Sequence, residues 1–201
     1  DIKTQIKNQE KVSVYIDGKY TFALTIAQLA DIKEIRAGKD ISSSQVEEYK
    51  KLSQLTKQYI RLISLIYARP RSEYELRTKL RLKKLDKEDI DELILKLQKE
   101  GYQDDLKFAT WWVTSRKNSR PISSLKLRSE LAGKGIKSNI AEQAISENFN
   151  QEDEHQALLK LIAKKKDRYE TEEKLLAFLA SRGYSYSSIK SALKELSDDN
   201  I

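Results

Sequence analysis

The sequence repeats one pattern of residues three times, with offsets of 51 and then 48 positions between copies. The copies begin at Arg69-Pro70, at Arg120-Pro121 and at Arg168. Each continues with a hydroxyl residue and two leucines: Ser72, Leu76 and Leu80; Ser123, Leu127 and Leu131; Thr171, Leu175 and Leu179. Repeats of this length stack in a row and bury an apolar face between neighbours. The pattern therefore favours a protein that offers an extended surface to a large partner over one built around a deep catalytic pocket.

The N-terminal residues differ from the rest, because apolar and polar side chains alternate there around an Asp17-Gly18 pair. The alternating apolar positions are Val12, Val14 and Ile16 before the pair and Tyr20, Phe22 and Leu24 after it. Asp-Gly between two such runs predicts a β-hairpin, since a type I′ turn needs a positive φ at both central residues. Thr25 and Gln28 form a capping-box pattern, which predicts a helix from Thr25 to about Gly38.

From Ser42 onwards, capping patterns and apolar residues at helical spacing predict helices joined by short turns. The helices fall into triplets, each a compact bundle similar to a helix-turn-helix unit. We therefore expect an all-α fold, a tandem array of three three-helix repeats behind a short N-terminal β-hairpin and helix. The expected boundaries are 1–41 for the hairpin and helix, 42–98 for repeat 1, 99–148 for repeat 2 and 149–201 for repeat 3.

Composition narrows the class of protein further. Charged residues make up 34% of the chain and hydrophobic residues 39%, which is typical of a helical protein with solvated outer faces. The absence of cysteine excludes disulfides and thiolate metal sites. No run of the sequence is long and apolar enough to span a membrane, and no secretory signal pattern opens it. We therefore expect a cytoplasmic protein without membrane contact.

Charge alternates along the chain. Residues 69–84 hold seven basic and two acidic residues (net +5), residues 85–105 three and eight (net −5), and residues 106–137 eight and one (net +7). If equivalent helices line the same side of the array, that side is a basic contact surface; alternatively, each helix only solvates its outer face. The candidate contact residues are Arg69, Arg71, Arg77, Lys79, Arg81, Lys83, Lys84, Arg116, Lys117, Arg120, Lys126, Arg128 and Lys134.

Two local features lie within this basic region. Arg77, Arg81 and Lys84 follow helical spacing and form one stripe, which suits binding of carboxylates or phosphates. Trp111 and Trp112 are adjacent, so a helix directs them about 100° apart. Trp112 lies on the helix face that is predicted to point into the core, the inward row. Trp111 then lies away from that face and is a candidate interface anchor, although packing between repeats is the favoured interpretation.

Several runs of residues resemble the motifs of one known family. The run Gly101–Arg116, GYQDDLKFATWWVTSR, resembles the signature of RecX, the regulator of the recombinase RecA. The run Arg69–Arg77 with Lys79-Leu80 resembles the opening motif of that family, and Glu130-Leu131 with Lys134-Gly135-Ile136 resembles the motif of its second repeat. The resemblance extends from about Tyr59 to Leu196, with the motifs in the order of the family.

The resemblance implies an all-α tandem array that binds RecA and RecA filaments on single-stranded DNA and restrains ATP hydrolysis and strand exchange. It implies no catalytic activity and no cofactor, and we expect a monomer that contacts DNA directly as well. Two departures from the family pattern stand out. Lys84 occupies the position of Gly135 and Gly183 in the other repeats, and Ser123-Ser124 replace residues that are basic in many members.

Other classes of function fit the residues less well. The main alternative is a helical nucleic-acid-binding module that contacts DNA phosphates through its basic helices. A nuclease lacks a clustered carboxylate or histidine site, and His155 is the only histidine. A metal site built from Glu100, Asp104 and Asp105 is disfavoured, because helix capping by Asp104 and a first-turn position for Asp105 explain both carboxylates.

Overall fold

The computed structural model describes residues 1–6 and 8–198, which form one compact unit from Asp1 to Ser64 and a second that begins at Leu65. The first unit holds an antiparallel sheet in the order β1-β2-β3, with β1 at Ile2–Thr4, β2 at Lys11–Ile16 and β3 at Lys19–Thr25. Asp17 and Gly18 have φ angles of 49° and 77°, so the predicted hairpin turn is confirmed. Strand β1 extends that hairpin, pairing Ile2 with Val14.

The first helix, α1, spans Ile26–Asp31, so its predicted extension to Gly38 is wrong. Leu29, Ile32 and Ile35 all pack in one apolar cluster with the inner face of the sheet. In a continuous helix each three-residue step falls about 60° short of a full turn, which would place Leu29 and Ile35 about 120° apart around the helix. Instead, the backbone becomes extended at Ile32 (φ −94°, ψ 92°), and Ile35 reaches the cluster.

The remaining elements are helical, as the predicted fold class requires. They are α2 Ser43–Ala68, α3 Glu73–Arg81, α4 Lys87–Lys99, α5 Asp105–Ser119, α6 Ser124–Gly133, α7 Ser138–Asn148, α8 Gln151–Lys165, α9 Glu172–Ser181 and α10 Tyr186–Asp198. A 3₁₀ turn, Lys166–Arg168, connects α8 to α9. Helices α5–α7 fall within the expected second repeat and α8–α10 within the third, whose last residues, 199–201, lie outside the described residues.

Local capping explains where these helices begin. Ser72, Asp86, Asp104, Ser123 and Thr171 are N-caps whose side-chain oxygens accept hydrogen bonds from amides in the first turn. These bonds satisfy donors that a helix leaves without intrahelical partners. These caps agree with the capping patterns that predicted helices from Ser42 onwards, whereas α7 begins after Lys137 without a side-chain cap.

Each triplet from α5 onwards encloses its own apolar core. Phe108, Trp112 and Leu127 belong to the core of α5–α7, where Trp112 is 8% exposed, so the predicted inward row is confirmed. Leu158 and Leu179 belong to the core of α8–α10. On the outside of the latter core, His155 Nε2 and Glu195 Oε2 form a hydrogen bond of 2.7 Å.

Candidate interaction surface

Consecutive repeats are joined by a serine that serves two elements at once. The Ser72 hydroxyl caps α3 by accepting from the Glu75 amide (3.2 Å), and it donates to the Lys134 carbonyl (2.8 Å) at the end of α6. Ser123 repeats this pattern one repeat later, because it caps α6 and donates to the Arg182 carbonyl (2.7 Å). Both serines are completely buried. A hydroxyl suits this position because it can donate and accept together.

We call the contact around Ser72, between repeats 1 and 2, the first joint, and the contact around Ser123, between repeats 2 and 3, the second joint. A carboxylate forms the second contact of each joint. The amide of Glu73, the first residue of α3, donates to Asp105 Oδ1 at 2.8 Å. The amide of Ser124, the first residue of α6, donates to Glu154 Oε1 at the same distance. Asp105 lies in the first turn of α5, and Glu154 lies in the first turn of α8. At each joint, the later repeat therefore supplies a carboxylate that accepts a hydrogen bond from the first amide of a helix in the preceding repeat.

These two carboxylates were absent from the sequence-based site. Burial raises the pKa of Asp105, although hydrogen bonds from the Glu73 amide and Gln103 oppose that effect. The sequence carried little signal for them, because Asp105 is the first residue of α5 whereas Glu154 is the fourth residue of α8. Asp104 caps α5 by accepting from the Leu106 and Lys107 amides. Within the described residues, no group of three or more His, Asp or Glu side chains is arranged to hold a metal ion.

The first joint also contains a charged cluster around Glu75. Arg69 binds the two oxygens of Glu75 at 3.0 and 2.9 Å, and Lys134 binds one of them at 2.9 Å. Burial alone would raise the pKa of Glu75, but the hydrogen bonds from Arg69 and Lys134 lower it to about 2. This carboxylate is therefore ionised at neutral pH and links α3 to the turn after α6.

A second charged cluster lies beside it, around Glu130. Trp112 Nε1 donates to Glu130 Oε2 at 3.0 Å, and Arg116 Nε donates to the same oxygen at 2.7 Å. The Arg116 guanidinium lies 4.1 Å from the centre of the Trp112 ring, and Lys134 Nζ lies 5.0 Å from it. Burial opposes ionisation of Glu130, yet the hydrogen bond from Arg116 leads the effects that lower its pKa. Arg120 also pairs with Glu130.

Trp111 is half-buried at this joint. Its ring centre lies 6.0 Å from that of Phe108, and the Arg69 guanidinium lies 5.7 Å from the Trp111 ring. Because Arg69 comes from the residues that precede α3, Trp111 makes contact across the expected boundary between repeats 1 and 2. A role as an anchor for a partner stays a prediction.

The structure divides the predicted basic residues into two groups. Those engaged by carboxylates of the same chain are Arg69, Arg77, Arg116, Lys117, Arg120, Arg128 and Lys134. Arg71 donates to the Leu65 carbonyl, and burial together with the neighbouring Arg69 lowers its pKa. Among the described residues, no ion pair within 4.0 Å is recorded for the exposed side chains of Lys79, Arg81, Lys83, Lys84 and Lys126.

The predicted stripe of Arg77, Arg81 and Lys84 is consequently uneven. Arg77 binds Glu73 and Asp91, and its side chain is 24% exposed. Arg81 and Lys84 are exposed and surround Leu82, which is 77% exposed. Among the predicted contact residues of repeat 1, the unpaired charge therefore lies at the C-terminal end of α3 and in the turn that follows it. No helix among the described residues has the length and apolar composition needed to cross a membrane.

Known proteins resemble this chain along nearly its whole length. Residues 104–145 match the model of the second three-helix domain of RecX. The regulatory protein RecX of Clostridium acetobutylicum is 30% identical over 99% of this chain and 96% of its own length. The regulatory protein RecX of Bacillus pumilus is 28% identical over 98% of this chain and 76% of its own length.

Solved structures show the same fold. A crystal structure of regulatory protein RecX superposes with a TM-score of 0.76, covering 95% of this chain and 97% of the other at 24% identity. Its agreement concerns the fold alone, whereas the relative that is 30% identical along both chains identifies the family. Together with the repeated joints and the matched three-helix domain, it establishes that this chain belongs to the RecX family of regulatory proteins.

Proposed function

We propose that this protein is a non-enzymatic regulator that binds RecA and its filaments on single-stranded DNA and restrains their ATP hydrolysis and strand exchange. The observation that carries the proposal is the similarity to regulatory protein RecX over 99% of the chain, since membership of that family implies RecA as the partner. The protein acts as a cytoplasmic monomer in recombination, DNA repair and the SOS response, and it needs no cofactor.

The end of α3 is the part of the predicted surface best suited to contact the filament. Leu82 is 77% exposed and lies between Arg81 and Lys83, with Lys84 next to it. An exposed apolar side chain among unpaired cations can bury its surface while the cations meet acidic groups around it. Trp111 is less accessible, because it packs against Phe108 and beneath Arg69.

Inhibition follows from contact at more than one place. A protein bound to neighbouring RecA subunits resists the rearrangement that ATP turnover and strand exchange require. Lys79 adds to the unpaired charge in the last turn of α3, and Lys126 supplies unpaired charge away from it, at the start of α6. Because these contacts are exposed and ionic, we expect the affinity to fall as the salt concentration rises.

The alternative of a sequence-reading nucleic-acid module finds less support. A helix-turn-helix protein presents the first residues of its recognition helix to DNA bases. The start of α3 is occupied by Ser72 and by the bond from the Glu73 amide to Asp105. The first turn of helix α4 contains two acidic residues, Glu88 and Asp89. Direct DNA contact is therefore secondary in this proposal.

Titration of a RecA filament tests the function. We expect the ATPase rate of RecA on single-stranded DNA to fall when this protein is present below one molecule per RecA subunit, because each bound molecule restrains several subunits. Co-sedimentation with the filament and with the same DNA without RecA separates the two binding modes. An unchanged rate, or equal sedimentation with bare DNA, would argue against the proposal.

A further inference from the structure

The joint between repeats 2 and 3 contains a groove of about 240 Å³ with an apolar floor and a basic rim. Ile122, Leu161 and Phe178 contribute to the floor. The rim carries Lys126, Lys164, Lys165 and Arg182, and none of the described residues that line the groove is acidic. A groove of this composition attracts a ligand that combines negative charge with apolar surface.

The cations of this rim are not neutralised by the protein itself. In the described part of the chain, no ion pair within 4.0 Å is recorded for Lys126, Lys164, Lys165 or Arg182. The Arg182 guanidinium lies 5.0 Å from the centre of the Phe178 ring. Arg120 also lines the groove, but Glu130 binds it. Several positive charges therefore converge on one apolar depression without a counter-charge.

The first joint has a carboxylate at one of the positions that are basic at the second joint. The offset of 51 that relates Ser72 to Ser123 also places Lys126 at the position of Glu75. At the first joint, Glu75 binds Lys134, and the residue equivalent to Lys134 at the second joint is Arg182, since the carbonyl oxygen of each accepts a hydrogen bond from the joint serine. The second joint thus has two cations that line one groove where the first joint has a carboxylate and a cation.

A second carboxylate of the first joint also has no acidic equivalent at the second joint. Glu130 binds Arg116 and the Trp112 indole, whereas the offset of 48 between α6 and α9 places Phe178 at the position of Glu130. A carboxylate has been replaced by an aromatic ring that faces the groove. The second joint lacks both internal acids of the first joint while keeping its cations.

We propose that this groove binds an acidic peptide segment with an apolar side chain, whose carboxylates take the places that Glu75 and Glu130 occupy at the first joint. A single-stranded nucleic acid fits less well, because bases stack on free aromatic faces. The Phe178 ring already packs against the Tyr169 ring at 5.2 Å and beneath Arg182. The proposal does not depend on RecA being a partner of this protein.

A single substitution tests the groove by restoring the missing carboxylate. Lys126→Glu places a glutamate where the first joint has one, near Arg182, and gives Ser123 a capping-box partner. The full chain is titrated into a fluorescently labelled peptide of Glu and Asp residues containing two leucines, and binding is read by anisotropy. We expect binding to weaken about tenfold or more, while the melting temperature stays the same or rises. Lys99→Glu, an exposed change of the same charge, should leave binding unchanged.

Three further outcomes decide between this proposal and its alternatives. A peptide with serines in place of both leucines should bind more weakly, because it leaves the apolar floor uncovered. Equal binding of that peptide, or equal loss with Lys99→Glu, would overturn the proposal in favour of general charge attraction. Competition by oligo-deoxythymidine that exceeds that of unlabelled peptide would assign the groove to nucleic acid instead. None of these measurements includes RecA, so failure of the groove and failure of the proposed function are told apart.

Discussion

Lys84, Gly135 and Gly183 occupy equivalent turns and share a positive φ, of 59°, 75° and 92° respectively. A Cβ at Gly135 would lie 2.4 Å from the Cβ of Tyr74, and one at Gly183 would lie 2.6 Å from Ser123 Oγ. Those two glycines are therefore needed for the close approach of repeats as well as for the backbone conformation. Lys84 is exposed, so its turn bears only the conformational cost of a left-handed residue, which is about 1–2 kcal/mol.

A matched pair of substitutions separates these two costs. Gly135→Ala should lower the free energy of unfolding by more than about 2 kcal/mol, because it adds a steric collision with Tyr74 to the strained backbone. Lys84→Gly should change it by less than about 1 kcal/mol, since relief of strain is offset by the greater freedom of glycine in the unfolded chain. Urea denaturation of both variants measures this difference. Equal changes in the free energy of unfolding would show that the repeats can move apart at Gly135 without loss of stability.

At the scale of the elements, turns and helix caps that depend on neighbouring residues could be predicted from the sequence. Features that depend on contacts with distant residues could not. The hairpin turn at Asp17-Gly18 and the caps at Ser72 and Ser123 follow from nearest neighbours. The end of α1 depended on Ile35 reaching the sheet, which local periodicity does not encode. Likewise, Glu75 matches a capping box, yet it binds Lys134, 59 residues away.

The charged cluster at Glu75 gives the first joint a dependence on pH. Because the folded-state pKa of about 2 lies below the ordinary value of 4.5, ionisation favours the folded protein. That stabilisation is complete above about pH 4.5 and is lost as the pH falls towards 2. With allowance for remaining solvent access, we expect it to be about 2 kcal/mol.

Comparison with Glu75→Gln isolates this contribution. The parent protein should be the more stable of the two at neutral pH, because the glutamine leaves Arg69 and Lys134 without their carboxylate. The difference in unfolding free energy should shrink between pH 4.5 and 2, measured by denaturant melts at constant ionic strength. A difference that does not vary with pH would mean that lost packing, and not charge, causes the effect.

At the scale of the whole second unit, two clusters of unpaired positive charge stand out. One is the end of α3 with Arg81, Lys83 and Lys84, and the other is the groove of the second joint with Lys164 and Lys165. Between them, carboxylates such as Glu75 and Glu130 neutralise the basic residues of the first joint. The candidate contact surface is therefore divided into two clusters and does not form one continuous basic face.

Charge reversal at the end of α3 tests the first of these regions. Arg81, Lys83 and Lys84 are changed together to Glu, and Arg77 is left intact because it binds Glu73 and Asp91. Exposed substitutions usually change stability by about 0.5 kcal/mol each, so the melting temperature should shift only slightly. Reversed charges at an interface repel, and binding to RecA filaments should weaken about tenfold or more.

The matched control carries the same change in net charge elsewhere, at the exposed residues Lys99, Lys107 and Lys137. Co-sedimentation of both triple variants with RecA assembled on single-stranded DNA gives the comparison. If the control loses as much binding as the α3 variant, the attraction is a property of total charge and α3 has no special part in it. If only the α3 variant loses binding while peptide binding at the second joint persists, the two regions act independently. That result assigns the contact to Arg81, Lys83 and Lys84, because the folded core and the net charge are the same in both proteins.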